Sequence, residues 1–266
     1  MITYPFAKIN IGLNVTEKRS DGYHNIESIF FPIPLNDILE INKSEHFNFS
    51  SSGTLIPGNA EDNLVIKAYK LIQSIYKIQA VSIHLHKQIP MGAGLGGGSA
   101  DAAFTLLMLN DLFNLKISKA KLESLALSLG SDCPFFIHNK PMYVFGKGDK
   151  MEDIELDLSG KFIMIINPNI HISTKTAYGG VKPRHTNINM SKEVNKPLKK
   201  WHHTIKNDFE SHIFDLHPKI LDLKNELLNL GADYTSMTGS GSTVYGFFSK
   251  RPKPLKKHQF EVIYEL

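Results

Sequence analysis

The sequence predicts an α+β protein built as two lobes, and three observations carry that prediction. Strand-like runs come first, grouped before the first helix-like run, rather than alternating with helices one for one. The 266 residues can bury one large core or two modest ones. The second half also opens with its own continuous apolar strand, Phe162 to Ile166, after a turn at Gly146-Lys147-Gly148-Asp149. The boundary is therefore expected close to residue 150, with lobes at 1–150 and 151–266.

Composition narrows the class before any motif is read. With 42% hydrophobic and 21% charged residues the chain is an ordinary globular one. Its single cysteine, Cys133, allows no intramolecular disulfide and suits a reducing compartment, so the cytoplasm is expected. A strand pattern begins a few residues after Met1, which leaves no room for a signal or transit peptide, and no apolar run approaches membrane-spanning length. The net charge of +4 is mild and lysine is spread along the chain, apart from a short cluster between Lys250 and Lys257. Neither a membrane nor nucleic acid is expected as partner; a mildly basic chain suits a phosphorylated small molecule.

From Ala7 to Val15 the residues alternate, with Ile9, Ile11, Leu13 and Val15 on one face and Lys8, Asn10, Gly12 and Asn14 on the other. Lys8 and Asn10 share a face, which by itself fits a solvated strand. Ser20-Asp21-Gly22 turns the chain so that Tyr23 and His24 return toward the first strand at the start of a second, Ile26 to Ile33. A third strand runs from Ile38 to Ile41, and Ser44 to Gly53 reads as a further hairpin or loop. Asn63 to Ile78 has helical spacing, with Asp62 as its expected cap.

Val81, Ile83 and Leu85 alternate with Ser82, His84 and His86 in a strand that leads into Pro90. His84 and His86 have the spacing of a strand metal pair, but no carboxylate or cysteine accompanies them locally. Helices are expected over Asp101 to Phe113 and over Lys119 to Leu129, the second capped by Ser118 and ended by Gly130. Asp132, ahead of Pro134, fits an N-cap with proline in the first turn. Met142 to Phe145 is strand-like. In the second half a helix starts at Ser173-Thr174 and leads to Tyr178, and a polar, basic, loop-rich segment follows from Gly179 to Lys200. Helices over Trp201 to Phe214 and Pro218 to Leu230 precede the strands Asp233 to Met237, Val244 to Phe248 and Phe260 to Tyr264.

The stretch from Pro90 to Asp101 is the most unusual in the chain. Gly92, Gly94, Gly96, Gly97 and Gly98 leave the backbone free to bring N–H groups up to an anion, and the apolar run after Ala100 places a helix N-terminus there. Gly92-Ala93-Gly94-Leu95-Gly96-Gly97 formally matches a dinucleotide fingerprint. The acid that should follow, Asp111, lies in a helical pattern rather than at a strand end, so the match is rejected. No lysine precedes Ser99, which excludes a Walker A loop, and the protein-kinase loop joins two strands instead of opening a helix. What remains is a phosphate cradle of backbone amides and the Ser99 hydroxyl.

Pro90-x-x-x-Gly94-Leu95-Gly96-x-x-Ser99-Ala100 resembles the second motif of the GHMP small-molecule kinases, and Thr238-Gly239-Ser240-Gly241 resembles their third. Ala7 to Leu13, Asp21-Gly22-Tyr23-His24, Gly130 to Phe136 and Asn207 to Glu210 are similar, in the same order, to members of that family that phosphorylate a diphosphocytidyl alcohol. The resemblance implies a lobe like ribosomal protein S5 domain 2 followed by a ferredoxin-like lobe. It implies ATP and Mg²⁺, with the nucleotide held by Pro90, Met91, Gly92, Ala93, Gly94, Leu95, Gly96, Gly97, Gly98, Ser99 and Ala100, and with Asn63 near the adenine. Asp132 is then the base that takes the substrate's hydroxyl proton, and Lys8 and Asn10 hold that hydroxyl. Tyr23, His24, Tyr178 and Thr174 are assigned to the cytidine end, the base lying between Tyr23 and Tyr178. Two departures stand out: Ala100 replaces a serine common in the motif, and Gly179 to Lys200 matches nothing in the family pattern.

Overall fold

The computed structural model describes all residues from 1 to 266. Strands β1 (Ile2–Thr3), β2 (Phe6–Lys18), β3 (His24–Asn36), β4 (Ile38–Lys43) and β5 (Asn48–Gly53) lead to helix α1 (Leu64–Tyr76). Strand β6 (Val81–Lys87) then leads to α2 (Gly97–Leu112), α3 (Lys119–Leu129) and α4 (Phe135–His138). The hairpin β7 (Met142–Gly146) and β8 (Lys150–Asp153) is followed by β9 (Phe162–Asn167), α5 (Thr174–Gly179), α6 (Met190–Glu193) and α7 (Trp201–Thr204). The chain ends with α8 (Glu210–Leu216), α9 (Pro218–Asn229), β10 (Tyr234–Met237), β11 (Val244–Phe248) and β12 (Phe260–Glu265). No helix is long and apolar enough to cross a membrane.

Two compact units interleave along this order. One holds residues 1–8, 34–91 and 96–140, the other residues 9–33, 92–95 and 141–266. In the first unit a four-stranded sheet runs β1-β4-β6-β5, antiparallel except for the β5–β6 pair. Ser44 to Gly53 is thus partly an edge strand. Alternation in β6 buries Val81, Ile83, Leu85 and Lys87 and turns Ser82, His84 and His86 outward. The His84 and His86 rings meet Ser50 and Ser52 hydroxyls at 2.8–2.9 Å. Helices α1 and α2 bury Ile66, Tyr69 and Ile72 together with Ala102, Ala103, Leu106 and Leu109.

In the second unit the sheet β10-β11-β9-β12 is antiparallel throughout. Met164, Ile166, Ile213, Ile220, Leu227 and Val244 share a core with Leu13, Val15 and Ile26. A third sheet has the order β2-β3-β7-β8. Its strand β8 follows the turn at Gly146 to Asp149 and closes a hairpin that the sequence left as a turn alone.

Three local expectations change. The cap of α1 is Asn63, whose side chain accepts from the Val65 N–H, while Asp62 belongs to a short 3₁₀ turn ahead of it. The expected helix from Trp201 to Phe214 is broken, since the Leu13 N–H donates to the Lys206 carbonyl and the Asp208 N–H donates to the Leu13 carbonyl. Backbone pairing with β2 overrides the helical period there. Helix α2 starts at Gly97, four residues before the expected Asp101, because two helical glycines give no propensity signal.

Candidate active site

Strand β6 ends at Lys87 and delivers the chain to the glycine loop, which becomes α2. Gly96 caps that helix with φ +73°, a left-handed conformation that glycine adopts without strain. A Cβ at Gly97 would lie 2.8 Å from Lys87 Nζ and 2.9 Å from Ile89, so close packing rather than dihedral freedom requires glycine at that position. At Gly98 the nearest atom to an added Cβ is Leu64 Cδ1, 4.0 Å away. The first turn of α2 therefore leaves its backbone uncovered at Gly98, which suits an anion. Ser99 is half-buried and interacts with the Cys133 thiol, whose acidity burial suppresses, pushing it up to about 12. Ala100 is fully buried, so a hydroxyl there would face protein rather than the loop surface.

Lys8 lies under this loop. Its Cγ is 3.1 Å from the position a Gly96 Cβ would take, and its Nζ lies 3.6 Å from Asp132 Oδ2. Burial lowers the Lys8 pKa below the ordinary lysine value, and the Asp132 carboxylate partly offsets this. The solvated-face reading of Lys8 and Asn10 is thereby corrected. Both are almost completely buried, because β2 is covered on both sides over this stretch. Asp132 sits ahead of α4, whose N-cap is Pro134, so the expected cap role for Asp132 is replaced by the ion pair.

Beside the loop, a cavity of about 380 Å³ is lined by Asn63, Leu64, Met91 and Gly98, with Lys87 and Asp101 in its wall. Lys87 pairs with both Asp37 and Asp101, the latter at 2.9 Å. The other oxygen of Asp37 accepts the N–H groups of Gln88 at 2.6 Å and Ile89 at 2.8 Å.

In the second unit, Gly94 and the Thr238-Gly239-Ser240-Gly241 turn interlock. A Cβ at Gly94, where φ is +76°, would lie 2.2 Å from the Thr238 carbonyl oxygen. The Thr238 hydroxyl donates to the Gly94 carbonyl at 3.0 Å and accepts the Asn10 N–H at 2.9 Å. The Asn10 side chain donates to Ser28, and the Tyr245 hydroxyl donates to the Asn10 carbonyl. Asn207 supports the turn from below, donating to the carbonyls of Met237 and Gly239 at 2.8 Å each. Glu210 accepts the Met237 N–H at 2.8 Å and pairs with Lys224.

The aromatic residues are arranged differently from a simple slot. His24 and Tyr178 stack on each other, with ring centroids 4.7 Å apart, and Phe209 meets Tyr178 edge-on. Tyr23 is 63% exposed, and Lys147 Nζ lies 5.2 Å from its ring centroid. Tyr178 thus offers its face to His24, while Tyr23 is exposed with the Lys147 ammonium over one face of its ring. Burial, with the Lys18 charge, holds the His24 pKa below the ordinary histidine value. Thr174 is exposed in the first turn of α5, whose cap is Ser173.

Sequence reasoning passed over Asp37, Lys87, Asp101 and Lys147. For Lys87 a signal existed: in the alternation Val81, Ile83, Leu85, Lys87 a lysine occupies an inward position and must meet an acid. No group of three or more His, Cys, Asp or Glu side chains is arranged to hold a metal ion.

Residues 63–140 match the family GHMP kinases N terminal domain, and residues 191–260 match GHMP kinases C terminal. The chain is 48% identical over 254 residues to a 4-diphosphocytidyl-2-C-methyl-D-erythritol kinase of Cytophaga hutchinsonii, a match covering 95% of this chain and 94% of that one. It is 45% identical over 268 residues to a protein of the same name from Bacteroides fragilis, covering 99% and 97%. Among solved structures, a 4-(cytidine 5'-diphospho)-2C-methyl-D-erythritol kinase superposes with a TM-score of 0.79 at 29% identity, covering 92% of this chain and 89% of that one.

Proposed function

We propose, from the premise that the chain belongs to the 4-diphosphocytidyl-2-C-methyl-D-erythritol kinases of the GHMP kinase family, that it phosphorylates the 2-hydroxyl of that alcohol at the expense of ATP. The product feeds the non-mevalonate route to isoprenoid precursors. The observation that carries the chemistry is Lys8, which underlies Gly96 at the start of α2 and pairs with Asp132 at 3.6 Å. A base and a cation therefore stand where the phosphate cradle begins.

In the proposed reaction, the substrate hydroxyl oxygen attacks the γ-phosphorus and the bond from that phosphorus to the β–γ bridging oxygen breaks. The hydroxyl proton passes to the Asp132 carboxylate, and ADP leaves. Lys8 orients the hydroxyl and neutralises charge gathering on the transferred group. The glycine loop and α2 N-terminus hold the phosphates, the cavity at Asn63 and Leu64 takes the adenine, and Mg²⁺, when bound, would supply further charge neutralisation. Asn10 acts through its backbone and side-chain bonds to hold the strand that carries Lys8.

At the cytidine end, the base stacks on the face of the exposed Tyr23 ring that Lys147 does not cover. His24, whose pKa burial and the Lys18 charge lower, stacks on Tyr178 and offers a ring nitrogen to the pyrimidine edge. The test is an ADP-release assay with 4-diphosphocytidyl-2-C-methyl-D-erythritol, mevalonate and homoserine offered separately. Turnover of the first alone is expected; equal or greater turnover of either other alcohol would overturn the assignment.

A further inference from the structure

One ammonium group in the first unit serves two buried carboxylates. Lys87, Asp37 and Asp101 each expose 2% of their surface or less. Fully ionised, the three would carry an uncompensated negative charge away from water, an arrangement that burial strongly disfavours. One atom shows how the excess is resolved: Asp101 Oδ1 is buried and has no hydrogen-bond partner. A carboxyl in that state is far less costly protonated than charged, and the Asp37 carboxylate beside it accepts the hydrogen bond of that proton.

The triad also spans the glycine loop. Asp37 accepts the N–H groups of Gln88 and Ile89 where the chain enters the loop, and Asp101 lies within α2 where the chain leaves it. Lys87 joins the two and fills the space a Gly97 side chain would need. We propose that Asp101 is a positioning residue for nucleotide binding: through Lys87 and Asp37 it fixes both ends of the loop, and a proton held between its carboxyl and that of Asp37 keeps the triad neutral while phosphates occupy the helix N-terminus. The proposal rests on the reading of this loop as the ATP site. When Asp101 loses the proton, a net negative charge stands within the first two turns of α2 and opposes the attraction of the helix end for anions.

The electrostatics agree. Burial raises the Asp101 pKa to about 7, the Lys87 charge opposes the rise, and the Asp37 carboxylate adds to it. Several charged side chains on the neighbouring elements have partners of their own. Lys67 and Lys70 of α1 pair with Asp62 and Glu61, Glu123 of α3 meets His138 of α4, and Glu40 of β4 accepts from Asn42.

The experiment measures the affinity of ADP, with magnesium in excess so that the nucleotide's own phosphates do not titrate, between pH 6 and pH 8.5. Wild-type affinity is expected to weaken about fivefold or more across that range, a typical size for coupling between two sites, and the profile of Asp101→Asn is expected to be level. A level wild-type profile, or a variant that follows the wild type, overturns the proposal. Should Asp101→Asn fail to fold, wild-type protein with ¹³C-carboxyl-labelled aspartate decides the matter. A carboxyl titrating near pH 7 whose midpoint rises on saturation with ADP supports the proposal, and the absence of one, or an unmoved midpoint, overturns it. No ADP binding at any pH would remove the nucleotide reading itself, a result distinct from a level profile with binding intact.

Discussion

Gly98→Ala separates ligand binding from folding at the phosphate loop. The neighbouring glycines cannot make that separation, because a Cβ at Gly94 meets the Thr238 carbonyl and one at Gly97 meets Lys87 and Ile89, so either change disturbs the protein. At Gly98 the backbone is helical and the only atom near the new methyl is Leu64 Cδ1 at 4.0 Å. Replacing glycine by alanine at a compatible helical site stabilises by about 0.4–1 kcal/mol, chiefly by restricting the unfolded chain. For a protein of this size that raises Tm by roughly 1–4 °C. The same methyl projects into the cavity wall, where phosphates must approach the N–H groups of the first turn. Losing one charge-assisted hydrogen bond costs about 1.5–3 kcal/mol, or roughly 10- to 150-fold in affinity. Scanning calorimetry and ADP titration on the same preparation should therefore move in opposite directions, with a more stable protein that binds nucleotide more weakly. Unchanged ADP affinity in a stabilised variant would refute the placement of phosphate at this turn.

Other consequences are more direct. Asp132→Asn should lower kcat by about 10²- to 10⁴-fold, the usual worth of a general base, while ADP affinity stays within a few-fold; near-native kcat in steady-state assays would contradict the base assignment. Tyr23→Ala should raise KM for the cytidyl substrate by roughly 5- to 150-fold, from about 1–3 kcal/mol of stacking, and spare KM for ATP; equal effects on both would rule out a cytidine role. Asn207→Ala leaves the Gly239 carbonyl and the Phe209 N–H without a partner and the Met237 carbonyl with the Ser236 hydroxyl alone, so urea unfolding should show a loss of about 2–5 kcal/mol, and a loss below about 1 kcal/mol would contradict the supporting role. Asp101 is raised from 3.8 to about 7, so its contribution to stability is complete below 3.8 and lost as pH rises through about 7. Asp101→Asn should accordingly gain in Tm over wild type as pH goes from 5 to 8.5, and a gain that shrinks over that interval would show the sign to be wrong.

Much of the fold was legible because local pattern and tertiary demand agree. The alternation in β6, the Ser118 cap of α3 and the proline opening α9 each follow a rule that acts within a few residues. Disagreement arose where distant backbone intruded. The stretch from Trp201 to Phe214 keeps a helical period, yet residues 206–208 bond to Leu13 on β2 and the helix cannot pass through them. Nothing within that segment records the demand, since Leu13 lies almost 200 residues away.

The site divides in the same way, and Lys87 shows why. The glycine loop announces itself, because so many glycines in a short stretch have few other uses, whereas the residues that shape it look ordinary one at a time. Asp37 lies between two strands, Asp101 in the early turns of a helix, and Lys87 at the end of a strand. Their relation exists only after β6 has turned its odd-numbered side chains inward, placing an ammonium among Leu85, Ile89 and Gly97. From that point the chemistry is constrained. A buried ammonium requires a carboxylate, two carboxylates on one ammonium leave an oxygen that water cannot reach, and the helix N-terminus beside them responds to whichever charge remains. A sequence reading that followed each inward-facing charge would have demanded an acid for Lys87 from the alternation in β6, while the identity of Asp37 and Asp101 as its partners comes only from the fold.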